Sequence, residues 1–186
     1  MFFLWAVVIG LLIGLFRGGS LNNLDDYPLR GLPLVLLALV VQVLIFPLFT
    51  QDPLIAWGTN YLHFLSYGFL AVFVLINLRI WQVSLMGIGG LANLITISVN
   101  GGYMPASVHS LQGAGQNAVA ESLLNYETYG NVIRMSSSTY LNFFGDWLYI
   151  PDWLPLSTAF SLGDLLVAFG LVAFLGIGMV SDNNRS

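Results

Sequence analysis

Four polar side chains sit where a mostly apolar sequence tolerates them least: Gln42, His63, Asn93 and Asp164. An ionisable or amide group inside such a run is costly to bury, so it turns toward other helices or a cavity. Spacing gives two of the four company. Asn60, His63 and Tyr67 stand at i, i+3, i+7, and Asn93, Thr96 and Asn100 repeat the pattern. On a helix, each set forms one stripe. Two such stripes on adjacent helices would make the wall of a pocket. His63, Asn93 and Asn100 would hydrogen-bond a polar headgroup, with Gly101 and Gly102 at the lip and Trp147, Tyr149 and Trp153 at the entrance. The same region offers acid or base chemistry through Asp146, Asp164 or His63. Asp164 also has a plainer reading. In "FSLGD", Ser161 has the N-cap position and Asp164 the N3 position of a capping box. Arg134, His63 or the helix's own N–H groups would then balance its charge.

Other chemistries fail on residue type. His63 and His109 are the only histidines and there is no cysteine, so His-rich and thiolate metal sites, disulfides and a Cys nucleophile are excluded. Ser136, Ser137 and Ser138 lack a G-x-S-x-G context. Asp146 and Asp152, around "GDWLYIPDW", read as turn residues. "GIGGLANL" lies inside an apolar run with no strand before it, so a dinucleotide fingerprint is not supported. No cofactor and no metal are expected. Lysine is absent and five arginines face nine acids, so no basic patch exists to bind nucleic acid.

The elements that must position these residues follow from composition. The 186 residues are 57% hydrophobic and 8% charged, with mean hydropathy +0.82. Soluble domains carry about 25% charged residues, so the expectation is an integral membrane protein. Five apolar runs approach the ~20 residues needed to cross a bilayer: 2–17, 31–50, 54–78, 81–100 and 159–180. The first lacks a basic n-region and a cleavage site, so it reads as a retained span and not a signal peptide. Arg17, Arg30, Arg79 and Arg185 fall on one side of a five-span chain and Arg134 on the other. The positive-inside rule then puts the N-terminus outside and the C-terminus in the cytoplasm. At ~1.5 Å per residue, Gln42, His63, Asn93 and Asp164 all lie roughly 7–13 Å below the outer ends of their spans.

The fourth connection, 101–158, is too long and patterned for a plain linker. It reads as short amphipathic helices broken at "GAG", followed by an aromatic, proline-rich stretch suited to the membrane interface. "NGGYMP" opens it. There a left-handed glycine closes the fourth helix and Pro105 stops it resuming, with no strand pattern on either side. The expected fold is all-α: one membrane domain, residues 1–186, of five transmembrane helices with an extracytoplasmic cap of short helices over 101–158.

Several motifs occur in a set order along nearly the whole chain. They are "RGGSL" after the first span, "HFLSY" at His63–Tyr67, "NGGYMP" after an upstream asparagine, and Gly145-Asp146 and Gly163-Asp164 around a proline-rich hinge. In this combination the chain resembles the bacterial multi-pass membrane family catalogued as domain of unknown function 5317. "NVIRM" stands where that pattern has a more basic stretch. The resemblance implies the five-span topology and a bacterial inner-membrane location, and it brings no activity with it.

The functional expectation is a non-enzymatic protein whose outer-half polar pocket binds a lipid, a quinone-like amphiphile or a partner subunit. Its pocket residues would be Gln42, His63, Tyr67, Asn93, Thr96, Asn100, Gly101, Gly102, Asp146, Trp147, Trp153 and Asp164. Two alternatives stand beside it. One is an enzyme acting on a lipid-linked substrate at the outer face. The other is an accessory subunit of a larger membrane complex, packing through a small-residue stripe at Gly10 and Gly14.

Overall fold

The computed structural model describes residues 2–26, 28–45 and 59–180, without the side chains of Asp26 and Asn60. The expected end of the second span, the start of the third, Arg185 and the Asn60 side chain lie outside what is described. The helices are α1 (Phe2–Phe16), α2 (Leu32–Ile45), α3 (Thr59–Ile76), α4 (Trp81–Val99), α5 (Val108–Gly113), α6 (Asn117–Tyr126) and α7 (Leu162–Gly178). Among the described residues α4 alone is long and apolar enough by itself to cross a bilayer. Phe2–Phe16, Leu32–Ile45, Tyr61–Ile76 and Leu162–Gly178 are shorter apolar helices.

Glycines decide which long helices touch. A Cβ on Gly89 would collide with the Gly163 carbonyl, and one on Gly163 with the Asn93 side chain. A Cβ on Gly170 would lie 2.7 Å from the Gln82 carbonyl. The α4 and α7 backbones therefore approach as closely as small residues permit. On the other side of α7, Gly10 and Gly14 of α1 meet Leu175 and Met179. This corrects the expectation that the Gly10–Gly14 stripe is free for a partner. Both glycines are buried against the chain's own last long helix.

Polar latches tie the ends. Arg17 Nη1 donates to the Gly176 carbonyl (3.2 Å), and Asn23 Nδ2 and the Ser20 N–H to that of Met179 (2.7 and 2.8 Å). These satisfy carbonyls that the end of α7 leaves open. Asn77, just past α3, takes the Arg30 N–H on its Oδ1 (2.9 Å) and returns its amide to the Arg30 carbonyl (2.8 Å). Arg17, Arg30 and Arg79 thus share one end of the bundle. An apolar cluster of Phe73, Ile80 and Val83, with Leu29, Leu34, Val35, Val74 and Met86, joins α2, α3 and α4 there.

The opposite end carries the cap. Phe2 stacks on Phe160 with ring centroids 4.0 Å apart, and Trp5 Nε1 donates to the Pro155 carbonyl (3.1 Å). The two short helices break at Gly113–Gly115, as the sequence suggests. The expectation of helices alone is overturned, however. Strands β1 (Met104–Ala106), β2 (Thr128–Tyr129) and β3 (Val132–Arg134) form a sheet, with β1 parallel and β2 antiparallel to β3. Strands β4 (Leu148–Ile150) and β5 (Thr158–Phe160) pair antiparallel. Segments of two or three residues are too short to display alternation, so no periodicity could reveal them. Ala106, Leu111, Ala120 and Leu123 give the cap a small core of its own.

The helix exit at "NGGYMP" is a Schellman closure. Gly101 is left-handed (φ +68°), and the Gly102 N–H reaches back to the Ile97 carbonyl (2.9 Å). Contrary to expectation a strand, β1, follows at once. The Pro105 carbonyl accepts the Asp146 N–H (2.8 Å), and Pro105 itself sits on the sheet's outermost strand, where a missing N–H does little harm.

Candidate functional site

Among the described residues the predicted polar side chains separate into three hydrogen-bonded nodes. In the first, Gln42 of α2 reaches His63 Nδ1 (3.2 Å) and donates to Ser66 Oγ (2.6 Å), while Ser66 Oγ donates to the His63 carbonyl (2.7 Å). His63 and Ser66 are buried. This node fastens α2 to α3.

The second node lies between α4 and α7. Asn93 Nδ2 donates to Asp164 Oδ1 (2.8 Å), and Ser161 Oγ donates to Asn93 Oδ1 (2.9 Å). Asp164 Oδ2 accepts the Ser161 N–H (3.1 Å) and the Asp164 N–H points back to Ser161 Oγ (2.9 Å), the capping box read from "FSLGD". Neither Arg134 nor His63 pairs with Asp164. Arg134 bonds Glu127 instead (3.0 Å), at the surface.

The third node latches the cap. Asn100 Oδ1 accepts the Tyr140 N–H (2.8 Å), and its Nδ2 donates to the Tyr140 carbonyl and to that of Thr96 (both 2.8 Å). Thr96, fully buried, returns its hydroxyl to the Ala92 carbonyl (2.9 Å). The two expected stripes therefore do not face each other. Asn93 and Asn100 turn toward α7 and the cap, and His63 turns toward α2.

What stands between α3 and α4 is an apolar cleft of about 440 Å³. Leu70, Ala71, Val74 and Leu75 of α3 line it opposite Met86, Gly87, Gly90, Leu91 and Leu94 of α4. Val35 and Val167 come in from α2 and α7, and Phe73 and Val83 belong to the cluster at its base. Tyr67 is its one side chain able to hydrogen-bond and the one expected pocket residue in the wall. Exposed Ala71, Leu75 and Leu91 leave the cleft open along one side. The three glycines of α4 divide the work. Gly87 packs on Val74 and Gly89 on α7, while a Cβ at Gly90 would meet open space. "GIGG" was the available signal, legible as a place for close approach but not as a place where approach fails.

Asp146 is not the turn residue it resembles. Its backbone bridges to β1, donating to Pro105 and accepting from Ser107 (3.0 Å). Its Oδ1 is sealed from solvent and accepts no hydrogen bond from the described residues. Burial, with the Asp164 charge adding to it, pushes the carboxyl up to about 8. The charges of Asp146 and Asp164 both act on Tyr67, so these three groups share one neighbourhood at the cap end. The aromatic residues expected at an entrance lie elsewhere. Trp147 Nε1 bonds the Phe143 carbonyl (2.8 Å), Tyr149 leans on His109 (centroids 5.9 Å apart), and Trp153 is exposed. None of the three lines the cleft.

A five-helix apolar bundle, capped at one end and cleft between α3 and α4, is the class these features define. The chain belongs to the Family of unknown function (DUF5317), whose model matches residues 26–176. It is similar to an uncharacterized protein of Thermotoga maritima, 30% identical over 169 residues, covering 90% of this chain and 86% of the relative. No solved structure matches the chain.

Proposed function

We propose that this is an integral membrane protein of five spans that binds an amphiphile, seating its hydrocarbon tail in the α3–α4 cleft and its headgroup toward Tyr67. The observation that carries this reading is the cleft. Its 440 Å³ falls within the ~300–1,000 Å³ of ligand pockets. Its walls offer a tail almost nothing but hydrocarbon, and its open side lets a chain enter from the bilayer without crossing the cap. From Val83 to Leu94 it follows α4 for roughly 16 Å, a long and narrow space suited to a single tail.

The bundle's surface supports membrane residence. Phe16 is 87% exposed, and Leu15, Leu36, Leu39, Leu75, Ile88 and Phe169 are exposed as well. Water would penalise such continuous apolar helix faces, and lipid would not. At the cap, Tyr126, Tyr140, Phe143 and Trp153 are exposed aromatic side chains of the kind favoured at the interface.

Gly90→Leu tests the reading. The new side chain has room, replaces a helix-weakening glycine and fills the cleft. Native mass spectrometry of the wild type should show a co-purifying amphiphile, absent from Gly90→Leu, whose melting temperature should not fall. An amphiphile retained equally by both proteins would refute tail binding in the cleft.

A further inference from the structure

We infer that the group the cleft takes at its Tyr67 end is an uncharged carbonyl oxygen, met by the Tyr67 hydroxyl. The inference rests on the cleft reading above and narrows its ligand to a class: amphiphiles whose tail carries a carbonyl with no hydrogen-bond donor of its own.

Tyr67 lines the cleft roughly 12 Å along α3 from the helix start at Thr59. Its ring stands edge-on to His63, with centroids 5.1 Å apart and planes at 89°. Among the described residues its hydroxyl makes no hydrogen bond. The polar side chains of the neighbouring nodes use theirs on one another, Gln42 on His63 and Ser66, and Asn93 on Ser161 and Asp164. Tyr67 thus brings to the cleft wall a donor that no described neighbour takes. Hydrocarbon offers such a group no water, and a donor left unmet there is costly. A ligand that supplies an acceptor recovers that cost.

The rest of the wall decides what kind of acceptor fits. Its other residues are aliphatic, phenylalanine, methionine or glycine, and no charged side chain is among them. The backbone groups of α3 and α4 along it are bonded within their own helices. An ammonium, a carboxylate or a phosphate would lose its water there and gain no counter-ion from the wall, which is the most expensive kind of burial. A hydroxyl or an amide brings a donor as well as an acceptor. With one hydroxyl opposite, one donor of the two would stay unmet. A carbonyl accepts the Tyr67 proton and brings no donor of its own. An acyl ester and a quinone ring both present such an oxygen.

The test uses the full chain in mild detergent near neutral pH, with probes of matched tail: methyl dodecanoate, dodecylbenzoquinone, dodecane, dodecanoate and dodecylamine. Each is titrated against wild type, Tyr67→Phe and Gly90→Leu, the last giving the baseline for partition into the micelle. Tyr67→Phe removes the hydroxyl and keeps the ring. A carbonyl probe should bind wild type about fivefold more tightly than Tyr67→Phe, the ~1 kcal/mol of one neutral hydrogen bond, and dodecane should not distinguish the two. Whichever carbonyl probe binds more tightly names the source, acyl lipid or quinone. Its carbon-13-labelled carbonyl stretch should move to lower wavenumber on wild type relative to Gly90→Leu, a measurement that stands even if Tyr67→Phe fails to fold. Carbonyl probes held equally by wild type and Tyr67→Phe but lost in Gly90→Leu would overturn the carbonyl assignment and leave the cleft reading standing. So would a charged probe that exceeds both carbonyls over the same baseline. Failure of every probe to bind, or binding indifferent to Gly90→Leu, would overturn both.

Discussion

Asn93 serves two partners at once, accepting from Ser161 and donating to Asp164, and it does so beside a glycine that has no space for a Cβ. Asn93→Leu would leave a hydroxyl and a carboxylate oxygen unpaired and press a branched side chain toward Gly163. Such losses cost about 2–4 kcal/mol, so the purified variant should melt well below wild type. Unchanged melting would mean that the α4–α7 seam does not depend on this node. The sequence marked Asn93 and Asp164 correctly as buried polar groups needing partners. It paired Asn93 with the wrong helix because depth along a span can be counted from residue numbers, whereas rotation about it is set by neighbours. Asp146 was legible as a carboxylate of interest, and its burial was not. That burial depends on the bridge to β1, forty residues upstream along the chain.

Two asparagines do the same job at opposite ends of the bundle. Asn77 grips both peptide groups of Arg30, and Asn100 those of Tyr140. An amide side chain matches a peptide's donor and acceptor together, so one residue can hold a loop in register. Asn100→Ala loses three hydrogen bonds, two of them to Tyr140; it should cost about 2–4 kcal/mol and free the segment around Tyr140. Limited proteolysis should then cut near residues 136–145 faster than in wild type while α4 stays intact. Unaltered cleavage there would show that the latch is not what holds the cap. Helix existence was well marked, with α1 and α4 ending within a residue of expectation. The final apolar run was read three residues too early because β5 occupies Thr158–Phe160, where apolar content alone looks helical. The pairing of β1 with β3 escaped for a different reason. It joins residues 28 positions apart through strands too short to carry a pattern.

Among the described residues Arg17, Arg30 and Arg79 lie at the end of the bundle opposite the cap, and the cap holds only Arg134; a membrane with a cytoplasmic positive side would orient such a chain with the three arginines inside. The absence of cysteine makes this easy to probe with single introduced thiols. In intact cells an impermeant maleimide should label Ser138→Cys in the cap and spare Ser20→Cys between α1 and α2. Labelling in the reverse sense would invert the topology, and equal labelling of both would argue against a fixed orientation. The cleft is the feature that no reading of residue types could supply. It is where two adjacent helices fail to meet, and it arises because α4 spends its closest contacts on α7. The measurement that tests tail binding most directly is photo-crosslinking of a single-chain amphiphile with a diazirine midway along its tail, followed by mapping of the labelled peptides. The account predicts label concentrated on Leu70–Leu75 of α3 and Val83–Leu94 of α4, and its loss in Gly90→Leu. Label spread evenly over the exposed faces of α1, α2 and α7, unchanged by that substitution, would contradict it.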